Sequence, residues 1–319
     1  MLQVDSHWLK NKRAVCFIIG AVILLVITSF IINPGEGEVY DIISTREKLQ
    51  EIGQEIPDSI DVLFAGDSLV FRAISPLRIW GLTGITSYDL SDGAMRLCDQ
   101  SVLIKHACKE QSPKLIVLEA DIMSKDASPY KDEFALPTNL LEKVFPIFHY
   151  HVFYKSFHPF EEEDPSSLRK GYKPADGVQP YDGDPDYMAE DEGGDPVVIG
   201  STNQKYLDDI TVFCKENDIE LLILALPSAI NYDIETHKAI QSWADDHNVE
   251  FLDMNLISEE VGIDWSADTK DGGDHMNPSG AEKVSSFLAD YLEENYDLTD
   301  HRDDDLYEEW NVDYDELYN

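Results

Sequence analysis

The sequence predicts an α/β protein built on a parallel sheet and preceded by one N-terminal transmembrane helix. Three observations carry that reading. Short apolar runs alternate with stretches of helical period, most regularly from Gln204 to Asn295, and strand, helix, strand in that rhythm gives parallel strands covered by helices. Lys114-Leu115-Ile116-Val117-Leu118-Glu119 is near-continuously apolar, as a strand buried on both faces must be. Ala14 to Ile32 is almost wholly apolar, and roughly 20 such residues cross a bilayer as a helix.

At the front, Lys10, Lys12 and Arg13 precede the apolar run. Positive charges of this kind stay in the cytoplasm, so the chain after Asn33 is expected outside, and the protein in the cell membrane as a single-pass protein with its main domain extracytoplasmic. A cleaved signal peptide is the competing reading, but Asn33-Pro34-Gly35-Glu36 lacks small residues spaced for cleavage. The expected organisation is a cytoplasmic segment 1–13, an anchor 14–32, a polar juxtamembrane stalk 33–57, a main domain 58–296 and an acidic, aromatic tail 297–319.

Within the main domain, Ile60 to Ala65 reads as the first strand and ends in Gly66-Asp67-Ser68, a turn. A second strand is expected at Thr86 to Leu90, a helix from Met95 to Glu110, and a third strand at Lys114 to Glu119 after the helix-stopping Pro113. The stretch 121–200 is rich in Pro, Gly, Asp and aromatics and is too long for an ordinary connection, so it reads as an insertion facing substrate. Helices at Gln204 to Asn217, Asp233 to Asn248 and Ser279 to Asn295 then flank strands at Ile219 to Leu226 and Val249 to Met254.

Composition bounds the function. The 319 residues are 43% hydrophobic, enough for a substantial core, and 24 basic against 63 acidic residues leave a net charge of −39. Such a surface repels phosphate backbones, which argues against nucleic-acid binding, and otherwise reads as a solvated face. Cys16, Cys98, Cys108 and Cys214 show neither a CxxC pair nor a zinc-like grouping. A Cys98–Cys108 bridge would span a helix that holds its ends roughly 15 Å apart, so structural thiols are expected.

Two loops carry the chemistry. A serine hydroxyl becomes a nucleophile when a base takes its proton, and a sharp turn after a buried strand exposes it. Ser68 has that setting, although Gly-Asp-Ser also fits a plain turn with a helix N-cap. Far along the chain, Asp271-Gly272-Gly273-Asp274-His275-Met276-Asn277-Pro278-Ser279-Gly280 joins the last strand to the last helix. Loops after parallel strands gather at one sheet edge, so His275 can meet Ser68 there. The plainer alternative is a loop histidine at a helix start, with Asn277 as cap and Pro278 in the first turn.

Together these blocks resemble the GDSL/SGNH hydrolase superfamily. Gly66-Asp67-Ser68-Leu69 matches its first block, and Asp271 to Gly280 is similar to its last. More closely, the sequence is similar to membrane-anchored, surface-facing bacterial members that lie beside polysaccharide or teichoic-acid acylation systems. The resemblance implies a flavodoxin-like α/β/α sandwich, a serine that attacks an ester carbonyl and a His-Asp pair that activates it; neither the cysteines nor the acidic runs have a ligand pattern, so no metal and no cofactor are expected. It further implies an acylated cell-envelope polysaccharide or other glycan as partner, and a membrane acyl-exporting protein beside it.

Two departures stand out. The family's acid stands three residues before the histidine, where this chain has Gly272. Asp271 is the expected replacement, because two glycines can fold its carboxylate back, and Asp274 is the alternative. Asp67 is a third carboxylate, which in the family orients the turn. The family's oxyanion hole takes the serine amide, a glycine after the second strand and an asparagine after the third. Ser68 and Gly93 fit the first two, but after the third strand stand Glu119-Ala120-Asp121. Loss of one donor costs ~3 kcal/mol of transition-state stabilisation unless something replaces it.

Elsewhere, His149, His151 and His158 with Tyr150, Tyr154 and Phe160 are candidates for a pocket wall or a packed loop, and Glu161 to Asp164 for a solvated acidic run. The expected function is an extracytoplasmic serine esterase or O-acyltransferase acting through an acyl-serine. The alternative is a non-catalytic scaffold of the same fold in a surface-polysaccharide assembly.

Overall fold

The computed structural model describes residues 14–25, 27, 43–93, 95–125, 169–184, 186–189 and 197–318. The chain divides into two units, Met1–Ile42 with Ala127–Glu163, and Ile43–Asp126 with Asp164–Asn319. Of the first, residues 14–25 and 27 are helical and carry exposed apolar side chains such as Phe17, Ile18 and Leu24. Among the described residues no helix is long and apolar enough to cross a membrane. The rest of the expected 14–32 span lies outside them, as do His149, His151, His158, their aromatic neighbours and Glu161 to Asp164.

The second unit is built on a five-stranded, all-parallel sheet, β1 (Val62–Ala65), β2 (Ser87–Asp89), β3 (Leu115–Glu119), β4 (Glu220–Ala225) and β5 (Glu250–Asp253), in the order β2-β1-β3-β4-β5. That order is the flavodoxin-like one, whose ligand crevice opens beyond the carboxyl ends of the strands where the order reverses, at β1 and β3. The period of two decides which side chain goes where. Leu63, Ala65, Ile116, Leu118, Ile223 and Ala225 enter one core, and Val62, Phe64, Leu115, Val117, Leu222 and Leu224 enter the other.

Helices α1 (Ile43–Ile52), α4 (Leu97–Ala107), α6 (Ser201–Glu216) and α7 (Ile234–His247) bury Ile52, Ile104, Leu207 and Ile240 in the first core. Helices α2 (Ser68–Ala73) and α9 (Pro278–Asn295) bury Val70, Val284 and Leu288 in the second. Two single-turn helices, α5 (Asp121–Ser124) and α8 (Ser258–Val261), follow β3 and β5. The expected juxtamembrane segment 33–57 is described from Ile43 onward. Residues from Ile43 belong to the compact unit, because Lys48 and Ile52 are buried and the Lys48 ammonium finds Glu51 at 3.4 Å.

Helix α3 (Pro76–Thr83) is roofed by the tail. A 3-10 turn, Asp305–Tyr307, leads into α10 (Glu308–Tyr318). Trp80 lies 5.3 Å from Trp310 and 6.2 Å from Tyr307, ring centre to ring centre, and donates from its indole to Asn311. Tyr318 shares a 2.8 Å hydrogen bond with Ser75, the N-cap of α3. Buried Lys170 ties the tail to the sheet side through Glu55 at 3.1 Å and Asp313 at 3.0 Å. All four cysteines are free thiols.

Candidate active site

Strand β1 delivers Ser68 by a turn that admits only glycine at its first position. A Cβ on Gly66 would lie 2.4 Å from Val70 Cγ2 and 2.6 Å from Glu119 Cβ. The carbonyl of Gly66 accepts from Gln100 Nε2 at 2.6 Å. Asp67 caps α2, its Oδ1 accepting from the Leu69 amide at 3.0 Å, which leaves Ser68 as the first helical residue. Ser68 is thus the N-terminal residue of a helix and also a site residue, so the structural and chemical readings of Gly-Asp-Ser coexist.

The loop before α9 delivers His275. It is closed by Lys270 N–H donating to the His275 carbonyl at 2.9 Å and by a bridge between Thr269 and Met276. Gly272 and Gly273 have φ of 78° and 99°, values that side chains rarely tolerate. Their amides donate to the Gln179 carbonyl and to Thr269 Oγ1. Asn277 caps α9 through Ser279 and Gly280, with Pro278 next in line. This fixes the ring just ahead of the helix.

Ser68 Oγ and His275 Nε2 are 2.8 Å apart, and His275 Nδ1 is 2.9 Å from Asp271 Oδ2. The other Asp271 oxygen accepts from the His275 amide at 2.8 Å, so one carboxylate grips ring and backbone together. With a carboxylate at Nδ1 the neutral imidazole carries its proton there, and Nε2 is left to accept from the serine hydroxyl. Asp274 stands at 3.4 Å from Nδ1 and is engaged elsewhere, its Oδ1 accepting from Asn231 Nδ2 at 2.5 Å. Burial alone would raise the Asp271 carboxyl, but the His275 amide and ring, aided by Lys270, hold it below the ordinary carboxylate range.

Of the two expected oxyanion donors, Gly93 is engaged within its own loop. The Gly93 amide donates to its neighbour Asp92 at 2.6 Å, and the space where a Gly93 side chain would stand is open. At the third position lies a buried acidic group. Asp67, Glu119 and Asp121 bring carboxylate oxygens within 4.8 Å of one another. Burial, reinforced by Asp121 and Asp67, pushes the Glu119 carboxyl well above the ordinary range, and burial pushes Asp121 up to about 6. The cation among them is Lys125, 2.6 Å from Asp67 Oδ2 and 2.5 Å from Asp121 Oδ2.

Sequence reasoning brought together Ser68, His275 and Asp271, and it missed the groups that hold them. Ser228 Oγ donates to the Asp274 carbonyl at 2.9 Å, and Asn255 Oδ1 accepts from the Ser228 amide at 2.9 Å. Both follow carboxyl ends of strands, β4 and β5, which is the signal that marks them. Lys125 has a weaker one, its i, i+4 spacing from Asp121.

The sequence matches no family model and no curated protein. Its structure is similar to those of SGNH/GDSL hydrolase-fold proteins. A chain from Slackia heliotrinireducens carrying the SGNH hydrolase name superposes with a TM-score of 0.42 at 11% identity, over 73% of this chain and 99% of that one. A GDSL-like lipase from Bacteroides thetaiotaomicron gives 0.39 at 10%, over 79% and 98%. The lipase/acylhydrolase from Enterococcus faecalis gives 0.37 at 10%, over 75% and 98%.

Proposed function

We propose that the protein is an extracytoplasmic serine esterase or O-acyltransferase acting on an acylated cell-envelope glycan. The observation that carries this reading is the line of contacts from Ser68 Oγ through the His275 ring to Asp271, at 2.8 and 2.9 Å. In the first half-reaction His275 Nε2 takes the Ser68 proton as Oγ bonds to the ester carbonyl carbon. The tetrahedral centre then collapses, the carbon–oxygen bond to the alcohol breaks, and His275 returns the proton to that alcohol, leaving acyl-Ser68. In the second half-reaction water or a glycan hydroxyl attacks, again deprotonated by His275, and Ser68 is regenerated. Asp271 fixes the tautomer and stabilises the imidazolium that forms in between.

The envelope substrate and the acyl-exporting partner rest on the apolar run Ala14 to Ile32 behind Lys10, Lys12 and Arg13, and on the family resemblance of the two loops. Transfer is preferred to hydrolysis because the third strand ends without an asparagine donor, which favours an activated acyl donor over a plain ester. The test is a fluorophosphonate probe on the full-length protein in detergent. Labelling that vanishes in Ser68→Ala and in His275→Ala is expected, and an unlabelled, folded wild-type protein would refute the enzyme. A second reading, a non-catalytic scaffold of a surface-polysaccharide assembly, is favoured by the Gly93 amide turned to Asp92. The same probe separates the two, since a scaffold gives no serine-dependent label.

A further inference from the structure

The corner where the sequence lacks an asparagine holds a cation bound to the nucleophile turn. Lys125 Nζ contacts Asp67 Oδ2, and the other oxygen of that carboxylate accepts from the Leu69 amide in the first turn of α2. Ammonium, carboxylate and amide therefore form one line ending beside Ser68. On its other side the ammonium contacts Asp121, whose amide, with that of Ile122, donates to Glu119 and fixes the group to the end of β3. The Lys125 side chain is 46% exposed, whereas those of Asp67 and Asp121 are 2% and 4% exposed. Burial works against the ammonium, but the charges of Asp121 and Asp67 hold its pKa above the ordinary lysine range.

We propose that Lys125 is a positioning residue for Ser68, holding the Asp67 carboxylate aimed at the Leu69 amide so that the turn presents Oγ to His275. The inference rests on the reading of Ser68 as a nucleophile. Buried carboxyls this close to one another repel when charged, and loss of the cation beside them favours their protonated forms further. The charged groups that face the cluster are Asp67 from the β1–α2 turn, Glu119 and Asp121 from the end of β3, and Asp274 from the His275 loop, which acts on Asp121. All are acidic, and among the described residues Lys125 is the cation in contact with them.

The experiment measures the rate of fluorophosphonate labelling of Ser68 in the full-length protein from pH 5 to 9, with the melting temperature of each variant alongside. Lys125→Met is expected to slow labelling about 10- to 100-fold at pH 7, the scale of a misplaced reacting group. It also steepens the fall in rate towards acid pH, because the carboxylates left without a cation bind protons at higher pH. Lys125→Arg keeps most of the rate, and propylammonium partly restores Lys125→Ala, since the half-exposed site admits a small amine. Labelling of Lys125→Met at the wild-type rate and pH profile overturns the inference. So does slower labelling with an unchanged pH profile, a lowered melting temperature and no rescue by arginine or amine, which marks a merely structural lysine. An unlabelled wild-type protein instead removes the nucleophile reading itself, and the inference with it.

Discussion

Among the described residues two histidine–aspartate pairs lie near the carboxyl edge of the sheet and are built on the same bond, yet only one of them faces a serine hydroxyl. His275 Nδ1 meets Asp271 at 2.9 Å, and His237 Nδ1 meets Asp253 at 2.7 Å. Asp253, at the end of β5, is almost wholly buried, and its other oxygen accepts from the Asn255 amide and side chain. His237 sits one turn into α7 and stacks on Phe251 with ring centres 5.5 Å apart. Its partner is a core carboxylate, and its ring packs. His275 is held by a loop, and its far nitrogen faces a hydroxyl. A carboxylate at Nδ1 sets the tautomer, but what meets Nε2 decides whether that tautomer does anything.

The comparison breaks or sharpens under substitution. The largest effect is expected from Asp271→Asn, which should slow labelling of Ser68 ~10³–10⁴-fold by favouring the wrong tautomer. Thermal unfolding should change little. If the rate instead fell less than tenfold, Asp271 would hold the loop rather than the ring's proton. Asp253→Asn should do the opposite, lowering stability in urea by about 1–3 kcal/mol, as for a disturbed buried hydrogen-bond group. Labelling of the protein that remains folded should stay near wild type. Loss of labelling without loss of folding would mean that Asn255 and Ser228 couple the buried pair to the loop of the other.

A smaller change is expected from Asp274→Asn, under tenfold in labelling rate, because its oxygen stands at 3.4 Å and Asn231 already engages its partner oxygen. A larger loss would move the role of ring partner from Asp271 to Asp274. The smallest effect concerns acid stability. The folded Asp271 carboxyl is held below the unfolded value of about 3.9, so its contribution is present above that pH and fades as pH falls through the folded value. Urea midpoints of wild type and Asp271→Asn should therefore converge below about pH 4. A gap that stays constant down to pH 2.5 would remove the carboxylate's charge from the account.

The same contrast explains what could be read from the sequence. His275 was legible because Gly272, Gly273, Asn277 and Pro278 form a local pattern, and Ser68 because a buried strand ends in Gly66-Asp67. The strands were legible for the same reason: Leu115 to Leu118 are buried and apolar without a break. The His237–Asp253 pair was not, since a helix residue and a strand end meet only when α7 folds back on β5. Lys125 was hidden likewise, because its partner Asp67 lies 58 positions away. The burial of Lys48 in α1 was hidden too, because nothing local says that a lysine in a polar stretch will be buried. The choice between Asp271 and Asp274 waited on loop geometry that two glycines alone do not dictate.

The roof over α3 has a consequence for how the chain is made. Trp80 and Asn311 are 231 positions apart, and Ser75 and Tyr318 are 243 apart. A nascent chain that has completed all five strands still lacks Tyr307, Trp310 and Asn311 against Trp80, because these follow β5 in the chain. The roof over α3 can therefore close only after all five strands have been made, and Trp80 waits for its aromatic partners until then.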